Sequence, residues 1–154
     1  MTFTTRAEYG VRLMVVLGRD SADAPMSLSA IADQERLPLS YLEQLVPRLR
    51  EVGLVRSTRG AHGGYQLARP AEEITMDQVV AALEGGSLAP MECFTDEGVQ
   101  RILCSHETDG DRACATRLLW TRVQGGMLKA LQGTTLAELV EFSSRHDRQP
   151  VAAA

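Results

Sequence analysis

The stretch LSYLEQLVPRLREVGLVRSTRGAHGGY, Leu39 to Tyr65, decides the fold. Its first half spaces Leu42, Leu45, Val46 and Leu49 at the helical period, which predicts a helix with one apolar face, capped by Ser40 and closed by Gly53. Pro47 stands inside that helix and, lacking an N–H, is expected to kink it or to lower its stability. The second half changes character. Leu54, Val55 and Arg56 read as a short strand, Arg59 to Gly64 as a flexible glycine-rich tip, and Tyr65, Gln66 and Leu67 as the returning strand of a hairpin.

Upstream, Leu37 and Pro38 make a tight turn after a short helix that carries Leu28, Ile31 and Ala32, is capped by Ser27 or Ser29, and ends around Arg36. Before it, Thr4 and Thr5 can cap a helix with Ala7, Val11, Leu13, Met14, Val16 and Leu17 on its apolar side, closing between Gly18 and Asp23. Downstream, Thr75 caps a fourth helix bearing Met76, Val79, Val80, Ala82 and Leu83, which ends at Gly85 and Gly86 and is expected to pack on the first. Two short helices joined by a tight turn and followed by a two-stranded wing are the order of a winged helix-turn-helix. That fold sets its last helix in the major groove of DNA.

Farther on, Ala115, Leu118, Leu119, Val123, Met127, Ala130 and Leu131 share one face of a long helix from about 112 to 132, and another helix follows from Thr135 to about Ser144. An apolar helix outside a complete small domain buries that face against a partner or folds back on its own winged helix; of the two, dimerisation is expected. The fold class is therefore mainly α: a winged helix-turn-helix with a small β-hairpin wing and a long C-terminal dimerisation helix. The expected division is a DNA-binding domain at 1–86, a cysteine-bearing loop at 87–114, dimerisation helices at 115–146 and a disordered tail at 147–154.

Charge follows the same division. The chain carries a net charge of -4, yet residues 36 to 69 hold six arginines against two glutamates and are +4, while both flanking regions are negative. A basic segment in an acidic chain is an electrostatic footprint for nucleic acid. Residues near the N-terminus of a recognition helix meet base edges, and here they are Ser40, Tyr41 and Gln44. Glutamine suits adenine, while serine and tyrosine reach bases or phosphates. Glu43 would repel phosphate, so it either accepts from cytosine or rejects other sequences. Arg48, Arg50 and Arg56 would neutralise phosphates. Arg59, at the wing tip, can enter a minor groove, where negative potential favours arginine.

The three cysteines, Cys93, Cys104 and Cys114, fall in one polar stretch between helical segments, with ten and then nine residues between them. Neighbours such as Glu92, Asp96, Asp109 and Asp111 are poor core, and an odd number of thiols cannot pair completely. A soft-metal site in a reducing cytoplasm is expected. Zinc held with His106, and oxidant sensing by free thiol chemistry, are the other readings of the same residues, although zinc sites favour CxxC pairs, which are absent.

Several classes are excluded. No apolar run approaches the roughly 18 residues that cross a bilayer, and no segment has the order of a secretory signal. Gly60, Gly63 and Gly64 belong to no GxGxxG or GK[ST] that opens a helix, so nucleotide binding is rejected. His62, His106 and His146 are scattered, without a catalytic constellation.

The run from Leu39 to Tyr65 closely resembles the recognition helix and wing of the Rrf-two group of bacterial regulators, the IscR, NsrR and RirA type. The opening TTRAEYGVRLMVVL and the CATRLLW before the long helix resemble the same group, over about residues 1 to 140. The resemblance implies a homodimeric, sequence-specific regulator, in which Ser40, Tyr41, Gln44 and Arg59 match base-contacting positions and Glu43 matches a position that tunes site choice. It also implies an iron-sulfur cluster, 2Fe-2S or 4Fe-4S, on Cys93, Cys104 and Cys114, although the spacing here is wider than the group's usual one. IscR-like members add a histidine three residues after the last cysteine, where this chain has Arg117. NsrR-like members add a carboxylate from the first helix of the opposite subunit, at the position of Glu8. His106 is the competing ligand.

Overall fold

The computed structural model describes residues 3–20, 24–86, 88 and 115–146. Cys93, Cys104, Cys114, His106 and the expected tail lie outside them. The elements run α1 (Thr5–Asp20), α2 (Leu28–Glu35), α3 (Leu39–Glu51), β1 (Val55–Thr58), β2 (Gly64–Leu67), a 3-10 turn (Ala71–Glu73), α4 (Met76–Glu84), α5 (Ala115–Gln132) and α6 (Leu136–His146). The expected winged helix-turn-helix is the architecture found. The turn at 71–73 carries no apolar period and was not predicted.

Local chemistry explains the boundaries. Thr4 caps α1: its hydroxyl accepts from the amide of Arg6 at 3.2 Å, and its carbonyl accepts from those of Ala7 and Glu8. Ser27, not Ser29, caps α2, accepting from the amide of Ala30 at 3.1 Å. The same helix ends on Arg36, whose φ of 54° is left-handed and turns the chain toward α3. Thr75 stands at the N-cap of α4, but its hydroxyl donates to the Asp77 carboxylate instead of accepting from a backbone amide.

Ser40 does not cap α3. The helix begins at Leu39, Pro38 occupies the cap position with φ -63°, and its carbonyl accepts from the amides of Tyr41 and Leu42. Proline presets the backbone of that turn, so the helix starts before the serine and leaves its side chain exposed in the first turn. Pro47 does not end the helix, which continues to Glu51. The proline is exposed, so the Glu43 carbonyl that its missing N–H leaves unpaired lies on the wet side of the helix.

The wing is an antiparallel pair with Val55 opposite Leu67 and Thr58 opposite Gly64. Its tip turns through Gly60 at φ 116°, closed by the amide of Gly63 donating to the Gly60 carbonyl at 2.9 Å. Met26 joins as a third partner, exchanging backbone hydrogen bonds with Tyr65 at 3.0 and 2.7 Å. Gly64 makes room for that approach: a Cβ there would lie 2.5 Å from the Met26 carbonyl oxygen.

The core gathers Leu13, Met14 and Leu17 of α1 with Ile31, Leu42, Leu45, Leu49, Leu54, Ile74 and Leu83, all fully buried. Helix α4 packs on α1, as expected, and does so at Gly10, where a Cβ would meet Leu83 Cδ1 at 2.2 Å. The core also extends past the boundary expected at residue 86. Leu136 is fully enclosed, its amide donates to the Ile74 carbonyl at 2.8 Å, and Gly18 of α1 closes against Val140 of α6. Thr135 and Glu138 start α6 as a reciprocal capping box. Helix α5 touches α4 and lays Leu131 on the core, but Leu118, Leu119 and Val123 remain 59%, 55% and 42% exposed. No helix among the described residues is long and apolar enough to cross a membrane.

Candidate nucleic-acid interface

Helix α3 has two faces of opposite chemistry. Leu42, Leu45, Val46 and Leu49 are buried, so the side turned from the core carries Ser40, Glu43, Gln44, Pro47 and Glu51, all exposed. Ser40 and Gln44 are one turn apart, which places them on one line along the helix. An α-helix of this thickness fits a B-DNA major groove about 12 Å wide, and its exposed N-terminal residues are those that reach base edges there.

The wing supplies cations beside that face. In β1 only Val55 is buried, while Arg56, Ser57 and Thr58 are exposed, and Arg59 follows at the tip, also exposed. Arg50 and Arg56 line one cleft of about 540 Å³ between α3 and β1, together with Pro47, Glu51, Val55 and Ser57. Two guanidinium groups against the single carboxylate of Glu51 leave this open cleft with a net positive lining. Ser57, which no sequence pattern singles out, also lines this cleft and pairs with Tyr65 in the hairpin register.

Arg48 behaves differently. It is half-buried, its Nη1 lies 3.4 Å from the Leu83 carbonyl, and it lines a separate cleft of about 740 Å³ between α3 and α4. Helical geometry accounts for the split, since residues two apart point about 200° apart and Arg48 and Arg50 therefore occupy opposite flanks. The structure groups Arg50 with Arg56 and leaves Arg48 with α4.

Tyr41, in the first turn of α3, is half-buried, and its ring meets that of Tyr9 edge to face, centroids 5.4 Å apart at 78°. Nothing in the sequence pattern pairs these two, because the contact joins α1 to α3. Nearby, Arg12 of α1 pairs with Glu35 of α2 at 2.9 Å. Glu8, one turn before Arg12, is exposed in the first turn of α1 and makes no side-chain hydrogen bond or ion pair with the described residues. Among those residues no group of three or more His, Cys, Asp or Glu side chains could hold a metal ion. Arg117 lies in α5.

The profile of the Rrf2 family (Rrf-two above), described as iron-dependent transcriptional regulators, matches residues 3–142. This chain belongs to the Rrf2 family. Protein rrf2 of Nitratidesulfovibrio vulgaris is 38% identical over 144 residues, covering 94% of this chain and 90% of that protein. Two solved Rrf2-like structures are similar throughout. Oxidised CymR of Staphylococcus aureus shows 37% identity and a TM-score of 0.69, over 92% of this chain and 97% of its own. IscR of T. potens shows 29% identity and a TM-score of 0.75, over 97% and 93%. The protein is thus an Rrf2 transcriptional regulator, a DNA-binding protein and not an enzyme.

Proposed function

We propose that this protein is a homodimeric repressor that reads a palindromic operator with α3 and the wing, and responds to iron-sulfur status, redox state or nitric oxide. One observation carries the reading of DNA: α3 buries its leucines and turns Ser40, Glu43 and Gln44 outward beside a wing that exposes Arg56 and Arg59. Ser40, Tyr41 and Gln44 meet bases, Glu43 restricts which bases are accepted, and Arg59 enters the minor groove. Arg50 and Arg56 hold phosphates. Arg48 contributes less, because its guanidinium is engaged toward Leu83. A second copy covers Leu118, Leu119 and Val123 of α5, and the two-fold symmetry of such a pair calls for a palindromic site.

The donor set suits an iron-sulfur cluster, 2Fe-2S or 4Fe-4S. Cys93, Cys104 and Cys114 supply the soft thiolates that such clusters require, and Glu8 is an exposed carboxylate without a partner among the described residues. In this reading Glu8 is the fourth ligand, given to the cluster of the partner subunit, and His106 is its competitor. When bound, the cluster supplies a centre that reacts with oxidants and nitric oxide. Release of Glu8 frees the first turns of α1, which touch α2 and α3 through Arg12 and Tyr9. Likeness to oxidised CymR favours a second reading, in which the cysteines sense oxidants directly as thiols.

Anaerobic native mass spectrometry tests dimer and cluster together. A dimer with the mass of bound iron and sulfide supports the first reading. A colourless dimer after careful supply of both leaves the thiol reading. Failure to retain any duplex from a random-sequence pool would remove the DNA-reading assignment.

A further inference from the structure

The N-terminus of α3, where Ser40 and Tyr41 lie, has no side-chain cap. Pro38 stands at its cap without a side-chain hydrogen bond, so the first amides of the helix lack the clamp that Ser27 gives α2. Tyr41 is only half-buried, so the core alone does not enclose its ring. Against it stands Tyr9, whose ring meets that of Tyr41 edge to face, centroids 5.4 Å apart and planes at 78°. Both rings also lean on the hydrophobic core, so neither can shift without disturbing well-packed neighbours. Arg12, on the next turn of α1, grips Glu35 at the end of α2. Helix α1 therefore holds both sides of the turn that presents α3.

The geometry points to Tyr9 as a positioning residue for DNA recognition: its ring keeps Tyr41 in the one orientation from which the first turn of α3 meets base edges. This rests on the reading role proposed above for α3. The useful property of Tyr9 is its ring. No hydrogen bond of its hydroxyl is found among the described residues, so phenylalanine should serve as well.

Selection from a random-sequence duplex pool tests the inference, using wild type, Tyr9→Phe, Tyr9→Leu, Tyr41→Leu and the double leucine variant. Tyr9→Phe is expected to select the wild-type sequence. Tyr9→Leu is expected to lose preference at the same base positions as Tyr41→Leu, and to bind the wild-type-selected duplex roughly two- to tenfold more weakly. Its affinity for a shuffled duplex should be unchanged, and the double variant should be no worse than Tyr41→Leu alone. A Tyr9→Leu protein that selects the wild-type sequence, with affinity lowered equally on both duplexes, would overturn the inference and leave Tyr9 as core packing. If Tyr9→Leu fails to fold, Tyr9→Met keeps the volume without the ring and the same comparison applies. Unaltered selection by Tyr41→Leu would instead remove Tyr41 from the reading surface, which is a failure of the underlying assignment.

Discussion

The backbone amide of Leu136 donates to the carbonyl of Ile74 at 2.8 Å, and the side chain of the same leucine is completely enclosed. A residue of the last helix thus completes a core built by the first eighty. Leu136→Ala removes buried methyl groups from a site braced on several sides and is expected to destabilise the domain by about 2–5 kcal/mol. Urea denaturation followed by far-ultraviolet circular dichroism checks this; an unchanged midpoint would mean that α6 is not part of the cooperative unit.

Glycines give a contrasting pair. A methyl group at position 64 would press into the Met26 backbone, which cannot swing aside, so Gly64→Ala should cost about 1–3 kcal/mol and loosen the wing. Gly126 lies in α5 with open space around it within one chain, but it shares the face of Leu119 and Val123 that a second copy is proposed to cover, so Gly126→Ala should act on dimerisation and leave the fold of each chain in place. Thermal melts check the first variant, and sedimentation at several concentrations checks the second.

Arginines of α3 and the wing should separate by salt dependence. Arg56→Ala removes a phosphate partner from the α3–β1 cleft, which predicts uniformly weaker binding across sequences and a salt slope smaller by about one. Arg48→Ala should alter that slope much less, because this side chain is turned to the Leu83 carbonyl. Gln44→Ala is different again: a loss of about 1–3 kcal/mol confined to the preferred sequence. Titrations at several salt concentrations, on selected and shuffled duplexes, distinguish the three.

For the cysteines, Cys104→Ser is expected to abolish visible absorption and the iron-sulfide mass increment while leaving the dimer intact. Glu8→Ala retains three thiolates, so the cluster should still assemble but decay faster in air. Equal lifetimes in wild type and Glu8→Ala would exclude Glu8 as a ligand and move attention to His106.

Periodicity made most of the winged helix legible before any coordinates. Leu42, Leu45, Val46 and Leu49 announce the buried face of α3, and by subtraction they expose Ser40, Glu43 and Gln44. What the pattern leaves open is the identity of the neighbour. The sequence marks a helix from Thr135 to about Ser144, but not that its Leu136 sits beside Ile74, 62 residues earlier in the chain. Tyr9 against Tyr41, and the isolated bridges of Met26 to Tyr65 and Thr75 to Thr135, are likewise contacts between distant segments with no repeat to betray them. Ser40 has the residue type of a cap, but Pro38, whose ring fixes φ, already starts the helix two residues earlier. Arg48 was grouped with Arg50 by charge, although helical angle alone separates them.

Because α6 lies on α1 and α5 touches α4, Gly86 and Ala115 end elements of one folded body, and the three cysteines stand between those two points in the sequence. If the cysteines bind their proposed cluster only when these elements are folded, its occupancy adds to the stability of the whole body. By linkage, the melting temperature of the DNA-binding core would then rise with cluster occupancy, and either quantity could be read from the other.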